Sequence, residues 1–385
     1  MSQSTLVTDL QALVATPSIN PFDGPAETPP PEDAMARLYE QRLGELGLEL
    51  GSQTVIDGRR NVWGRLRGSG DGPTVMLAGH LDTVGVAGYD QPFEPRVENG
   101  RIYGRGSCDM KAGLAAYLEV VRRLQAGGET LSGDLIIAGV VDEEHAMLGS
   151  KAFGETGPPV DFAIIAEPSE LAICPVHKGQ MMFGLRTRGV SVHSSLPDKG
   201  VNAIFHMGRI LRALEDHAAE LAARPAHPMC GSPTLSVGVV GGGTNASSVP
   251  DWARIEVDRR TIPGENHEAV QAELEAVVES VRADVPGLDY SFDHHDLNVP
   301  PLETPEDAAT VRALLAASEA CLGTASPVRS FSGSTDAPNF GCEAVICGPG
   351  ALAQCHSLDE YVSIEQLEQA VDIYHRAVLQ LMRGD

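Results

Sequence analysis

His80 and Asp82 stand two residues apart at the end of the apolar run Val75-Met-Leu-Ala-Gly79. In an extended backbone positions i and i+2 share a face, so an imidazole and a carboxylate leave that strand end toward one point. Other runs stop in the same way. Asp134-Leu-Ile-Ile-Ala-Gly-Val-Val141 halts at Asp142-Glu143-Glu144, and Phe162-Ala-Ile-Ile-Ala166 halts at Glu167. A glycine-rich passage, Tyr103-Gly-Arg-Gly-Ser-Cys-Asp109-Met-Lys-Ala-Gly113, carries Asp109, and His356 follows far downstream. Gathering so many carboxylates into one cleft is unfavourable, because like charges raise each other's pKa. Divalent metal supplies the missing counter-charge. Imidazole and carboxylate without thiolate suit catalytic zinc, or cobalt or manganese.

The elements that must hold these groups are legible from periodicity. The continuous apolar runs read as strands buried on both faces, and they alternate with helical patterns. One such helix places Met110, Leu114, Leu118, Val121 and Leu124 on one side. Alternating strands and helices imply an α/β fold with a mixed, mostly parallel sheet flanked by helices, in which ligands gather beyond the carboxyl ends of the strands. Before it come a short helix over residues 5–16, a proline-rich loop from Pro21 to Pro31, and a helix from Glu32 to Leu46. From about residue 178 the order becomes strand, helix, strand, strand, helix and a last strand from Leu288 to Asp293, an inserted α+β sandwich over 178–293. The flanking segments, 1–177 and 294–385, form the domain that bears the candidate site. The chain closes on a helix with Ser363 as N-cap and Gln366 three residues on, a capping box.

Composition excludes several classes. The chain has 385 residues and a formal charge of -25 from 28 Lys+Arg against 53 Asp+Glu, which disfavours nucleic acid and anionic lipid as partners. No apolar run reaches the length of a membrane span, and the N-terminus shows no basic start or apolar signal core, so a cytoplasmic address is expected. Seven cysteines without a CxxC pair read as reduced thiols. A nucleotide-binding reading of Gly104-Arg-Gly106 fails, since GxGxxG and GKS/GKT are absent.

In order and spacing, Gly79-His80-Leu-Asp82, Gly104 to Gly113, Asp142-Glu143-Glu144, Ala166-Glu167-Pro168 and Cys355-His356 resemble the di-zinc amidohydrolase family of acetylornithine deacetylase, succinyl-diaminopimelate desuccinylase, aminoacylase and glutamate carboxypeptidase. The resemblance spans essentially the whole chain. It implies that Asp109 bridges two metals, that His80 and Glu167 complete one site, and that Glu144 and His356 complete the other. It implies Glu143 as general base for amide hydrolysis by a metal-bound hydroxide, with Asp82 behind His80 fixing which ring nitrogen binds metal.

The inserted segment resembles a lid and dimerisation domain. Within it, Gly189-Val-Ser-Val-His193 implies a histidine that stabilises the oxyanion in the neighbouring subunit's site, hence a homodimer. Gly241-Gly-Gly-Thr-Asn245 and Asp258-Arg-Arg260 imply Asn245 and Arg260 as holders of a substrate carboxylate. The register of that motif favours Arg260, with Arg259 directed to the apolar side. The expected substrate is a small N-acyl amino acid or short peptide. A carboxypeptidase or dipeptidase of the same family, or a non-catalytic metal-dependent binding protein, are the alternatives.

Overall fold

A computed structural model describes residues 4–22, 31–56 and 58–383, so most of the proline-rich loop lies outside the described residues. The chain divides into two compact units. The first contains residues 1–176, 303–331 and 335–385, and the second contains 177–302 and 332–334.

The first unit is built on a nine-stranded sheet. Its central strands are Leu135–Val140, Val75–His80, Phe162–Ile165 and Glu343–Ile346, side by side and parallel. Arg59–Leu66 and Glu49–Ile56 add antiparallel strands on one side, and Ile173–His177 pairs antiparallel on the other. Every residue of Val75–His80 and of Leu135–Val140 is buried, as their uninterrupted apolar sequences require. The helix Lys111–Gly127 lies against this core. Its Tyr117 hydroxyl donates to the carbonyls of Ala78 and Ile164, both at 3.1 Å, so the buried phenol is satisfied by adjacent strands. The helix Leu148–Thr156 follows the acidic strand end.

A second, three-stranded sheet of Tyr361–Ser363, Arg101–Tyr103 and Arg96–Glu98 sits beside the glycine-rich loop. Pairing of Tyr361 with Tyr103 brings Glu360 next to Gly104, whose N–H donates to the Glu360 carbonyl at 3.1 Å. The closing helix Ile364–Arg383 begins after Ser363, whose Oγ accepts from the Gln366 N–H at 3.5 Å. The other half of the capping box is not made. Gln366 Oε1 instead accepts from the Gly350 N–H at 2.9 Å, because the loop that leads to His356 offers an orphan donor within reach.

The second unit is a four-stranded antiparallel sheet in the order Thr234–Gly242, Trp252–Thr261, Gly179–Arg188, Asp289–Val299. Helices Ala203–Ala223 and His267–Asp284 pack with it around Phe183, Leu185, Ile210, Leu214, Ile255 and Val278. The last strand runs to Val299, beyond the Asp293 end expected from the sequence, so this unit continues to Leu302. Its histidines and acidic residues hide a strand that lies at the sheet edge. Among the described residues, no helix is long and apolar enough to cross a membrane.

Candidate metal centre

Parallel pairing sets the first condition for the site. With His80 opposite Val140 and Ala78 opposite Ile165, the carboxyl ends of three strands fall at one edge of the sheet. His80, the Asp142-Glu143-Glu144 corner and Glu167 therefore emerge there together. The corner turns at Asp142, which has φ 72°.

Two groups of donors converge. His80, Asp109 and Glu167 form one, and Asp109, Glu144 and His356 form the other, each with one ligand atom per residue within 4.8 Å of the rest. In the first, His80 Nε2 lies 3.1 Å from Asp109 Oδ1 and 3.8 Å from Glu167 Oε1. In the second, His356 Nε2 lies 3.2 Å from Glu144 Oε2 and 3.5 Å from Asp109 Oδ2. Asp109 thus points one oxygen at each group.

Asp82 is fully buried behind His80, but its nearer contact is not the expected one. His80 Nδ1 lies 3.0 Å from the Asp82 carbonyl, against 3.5 Å from its Oδ1. The carboxylate is occupied elsewhere, accepting from the N–H groups of Glu143 and Glu144 at 3.1 and 3.0 Å and from the Asn20 amide at 2.9 Å. One residue therefore orients the imidazole through its backbone and braces the acidic corner through its side chain.

His193, Asn245 and Arg260 lie in the second unit. An antiparallel bridge between His193 and Ser248 brings the His193 and Asn245 segments together. His193 is exposed, with Nδ1 2.7 Å from Ser195 Oγ; Asn245 Oδ1 accepts from the Ser247 N–H at 2.9 Å. Arg260 donates through Nε to Asp258 at 2.8 Å and through Nη1 to Ser334 at 3.3 Å. Its neighbour Arg259 is fully buried and pairs with Glu265 at 2.6 Å, in keeping with the strand parity that turns Arg259 inward.

Residues 76–380 match the model of Peptidase family M20/M25/M40. The chain belongs to this family. Among M20 relatives, an acetylornithine deacetylase of Vibrio campbellii is 30% identical over 380 residues, covering 96% of each chain. One of Proteus mirabilis is 31% identical, covering 94% of this chain and 93% of its own. An M20 family metallo-carboxypeptidase from Sulfolobus solfataricus shares the fold with a TM-score of 0.81 at 18% identity, each chain covered completely. A dinuclear metal binding peptidase of the M20 family from Bacillus subtilis has a TM-score of 0.72 at 18% identity, covering 99% of this chain and 98% of its own. Membership makes the chain a metal-dependent amide hydrolase.

The donor set of this M20 chain fits divalent metal. Glu167 Oε1 is buried and has no hydrogen-bond partner among the described residues. Burial, with neighbouring carboxylates, pushes Glu143 and Glu167 well above the usual carboxylate range, and burial with Asp109 nearby raises Glu144. Asp336, also buried, adds its charge against Glu143 and Glu167. A cation at each donor group relieves this repulsion.

Hydrogen bonds to Asp109 and Glu144 hold the His356 imidazole up at about 10. Burial works against charge on His80, yet Asp109 and Asp82 hold it well above the histidine range. In the metal-free protein the protonated form of both rings is therefore favoured, and a metal taking either ring as ligand would have to expel that proton, so metal affinity is expected to weaken as pH falls. Calorimetric titration of zinc into metal-free protein, in buffers of differing ionisation enthalpy, is expected to show net proton release. Absence of release would contradict these protonation states.

Sequence reasoning missed Glu360. Its carboxylate accepts from the N–H groups of Gly106, Cys108 and Asp109 at 2.9, 2.8 and 3.0 Å and from Arg105 Nη1 at 2.6 Å. It thereby shapes the loop that carries Asp109, from a position close in sequence to His356. Missed also was Lys111, whose buried Nζ donates to the carbonyls of Leu13 and Thr16 at 3.0 and 2.9 Å and is pushed down to about 7 by burial. Arg59, joined to Asp142 at 2.6 Å and to Glu32, anchors the acidic corner from behind.

Proposed function

We propose that this protein is an N-acyl-amino-acid deacylase of the acetylornithine deacetylase or succinyl-diaminopimelate desuccinylase type, working with two divalent metal ions, zinc foremost. The observation that carries the reading is the shared use of Asp109 by two imidazole–carboxylate groups, with Glu143 beside them. The relatives named acetylornithine deacetylase, which match along nearly the full length, support the choice of substrate class.

Bound divalent ions supply Lewis acidity and acidify water. His80, Asp109 and Glu167 would hold one ion, and Asp109, Glu144 and His356 would hold the other. The Asp82 carbonyl takes the His80 Nδ1–H at 3.0 Å, which leaves the Nε2 lone pair for metal. Glu143 accepts a proton from the attacking water and delivers it to the departing amine nitrogen. A carboxyl whose proton affinity is raised by burial is suited to both transfers.

Arg260 and Asn245 recognise the substrate carboxylate; the Arg260 guanidinium is held by Asp258 through Nε and by Ser334 through Nη1, contacts that orient it for a charge-assisted bond to that carboxylate. His193 stabilises the oxyanion from a second subunit, which makes the active form a homodimer.

A panel of N-acetylornithine, N-succinyl-diaminopimelate and Xaa-Glu dipeptides, assayed on zinc-reconstituted protein, tests the reading. One of the N-acyl amino acids is expected to exceed the dipeptides in kcat/KM by at least about tenfold. Faster dipeptide cleavage would replace it with a peptidase, and no hydrolysis of any amide with metal bound would leave a binding protein.

A further inference from the structure

Two thiols, hydrogen-bonded to each other, lie beside the proposed ligands. Cys108 precedes Asp109 and Cys355 precedes His356, and they come from separate loops of the first unit. Both donate to one acceptor: Cys108 Sγ lies 3.5 Å and Cys355 Sγ 3.8 Å from the Ala351 carbonyl oxygen. Space for the Cys108 sulfur depends on Gly350, where a Cβ would come within 2.4 Å of it. Cys108 is fully buried, whereas Cys355 is partly exposed.

We propose that Cys108 and Cys355 form a reversible disulfide that disables the metal centre when the cell meets peroxide. Hydrogen peroxide oxidises the partly exposed Cys355 thiol to a sulfenic acid and leaves as water. The Cys108 sulfur then displaces the hydroxyl, its proton leaving with that group as a second water. In sum, two thiols and one peroxide give one disulfide and two waters, each sulfur giving up one electron. In a reducing compartment such a bond is transient and regulatory, and thiol reductants reverse it.

The effect on the site follows from where the bond pulls. A disulfide fixes the separation and dihedral of its sulfurs, so closure ties the Cys355 loop to the Asp109 loop. His356 is the next residue and holds φ 62°, a left-handed conformation that a non-glycine side chain keeps only under constraint from its surroundings. Moving Cys355 takes the His356 imidazole away from Asp109 and Glu144, and the group it completes loses a ligand. The consequence for activity rests on the metal-dependent deacylase reading, but formation of the bond does not.

The test treats the zinc-loaded protein with a small excess of hydrogen peroxide and maps non-reduced tryptic peptides by mass spectrometry. A linked Cys108–Cys355 peptide is expected, with about one zinc released per chain to a chromophoric chelator and at least about tenfold loss of amide hydrolysis. Dithiothreitol with zinc should restore both. Cys355→Ala is expected to retain zinc and activity through the same treatment, and Cys108→Ala should behave alike; if Cys108→Ala does not fold, Cys355→Ala decides. The proposal is overturned if no Cys108–Cys355 peptide forms, if the bond found joins any other two cysteines instead, or if Cys355→Ala loses zinc as fast as the parent. A linked peptide with zinc release in a protein that hydrolyses no amide would sustain the thiol pair and reject the deacylase reading.

Discussion

Glu143→Gln is expected to lower kcat by about 10²–10⁴-fold while both metals stay bound. The amide keeps the shape of the side chain and removes its capacity to take a proton from water. Glu143 is not in either donor group, so its loss spares the ligands. Its backbone N–H, held by Asp82 at 3.1 Å, keeps the corner in place whatever the side chain. The pair of measurements is turnover on the best amide of the panel and metal content by elemental analysis. Near-normal turnover with full metal would remove Glu143 from the role of general base.

Glu360→Ala should damage the same centre from farther away. The substitution removes the carboxylate partner of the Arg105 guanidinium, which is 3% exposed and retains the Gly85 carbonyl at 3.3 Å, and orphans the N–H groups of Gly106, Cys108 and Asp109. Breaking a buried ion pair by removing one partner costs about 3–5 kcal/mol, and loss of groups that orient metal ligands costs about 10–100-fold in metal affinity. Denaturant unfolding followed by a signal from the first unit reads the former, and competition with a chelator reads the latter. Glu360→Gln, which retains an acceptor oxygen, should fall between the two. Unchanged metal affinity in Glu360→Ala would show that the loop holds Asp109 without help.

The contrast between these residues explains what could be read from the chain alone. His80, Glu143, Glu144 and Glu167 announce themselves because each ends a buried strand, and parallel strands of similar length deliver their ends to one edge. The earlier strands and the two long helices of the second unit are legible through their periodicity, whereas the end of its last strand is not. Glu360 carries no such signal. It works through backbone N–H groups more than 250 residues away in sequence, and a short sheet that pairs Tyr361 with Tyr103 places it there. Gln366 shows the opposite case: its local pattern was sound, but the Gly350 N–H competed for its side chain. Asp82 combines both lessons, since its position was readable and the division of labour between its carbonyl and carboxylate was not. Tertiary hydrogen bonding redistributed what local spacing had assigned.

The most direct test of a two-metal hydrolase is activity measured against zinc added back to chelator-stripped protein. Hydrolysis of the preferred N-acyl amino acid should be absent without metal and should rise until about two equivalents per chain are bound, because on the proposed reading each of the donor groups sharing Asp109 would take one ion. Full activity in stripped protein, or no dependence on added metal, would contradict it.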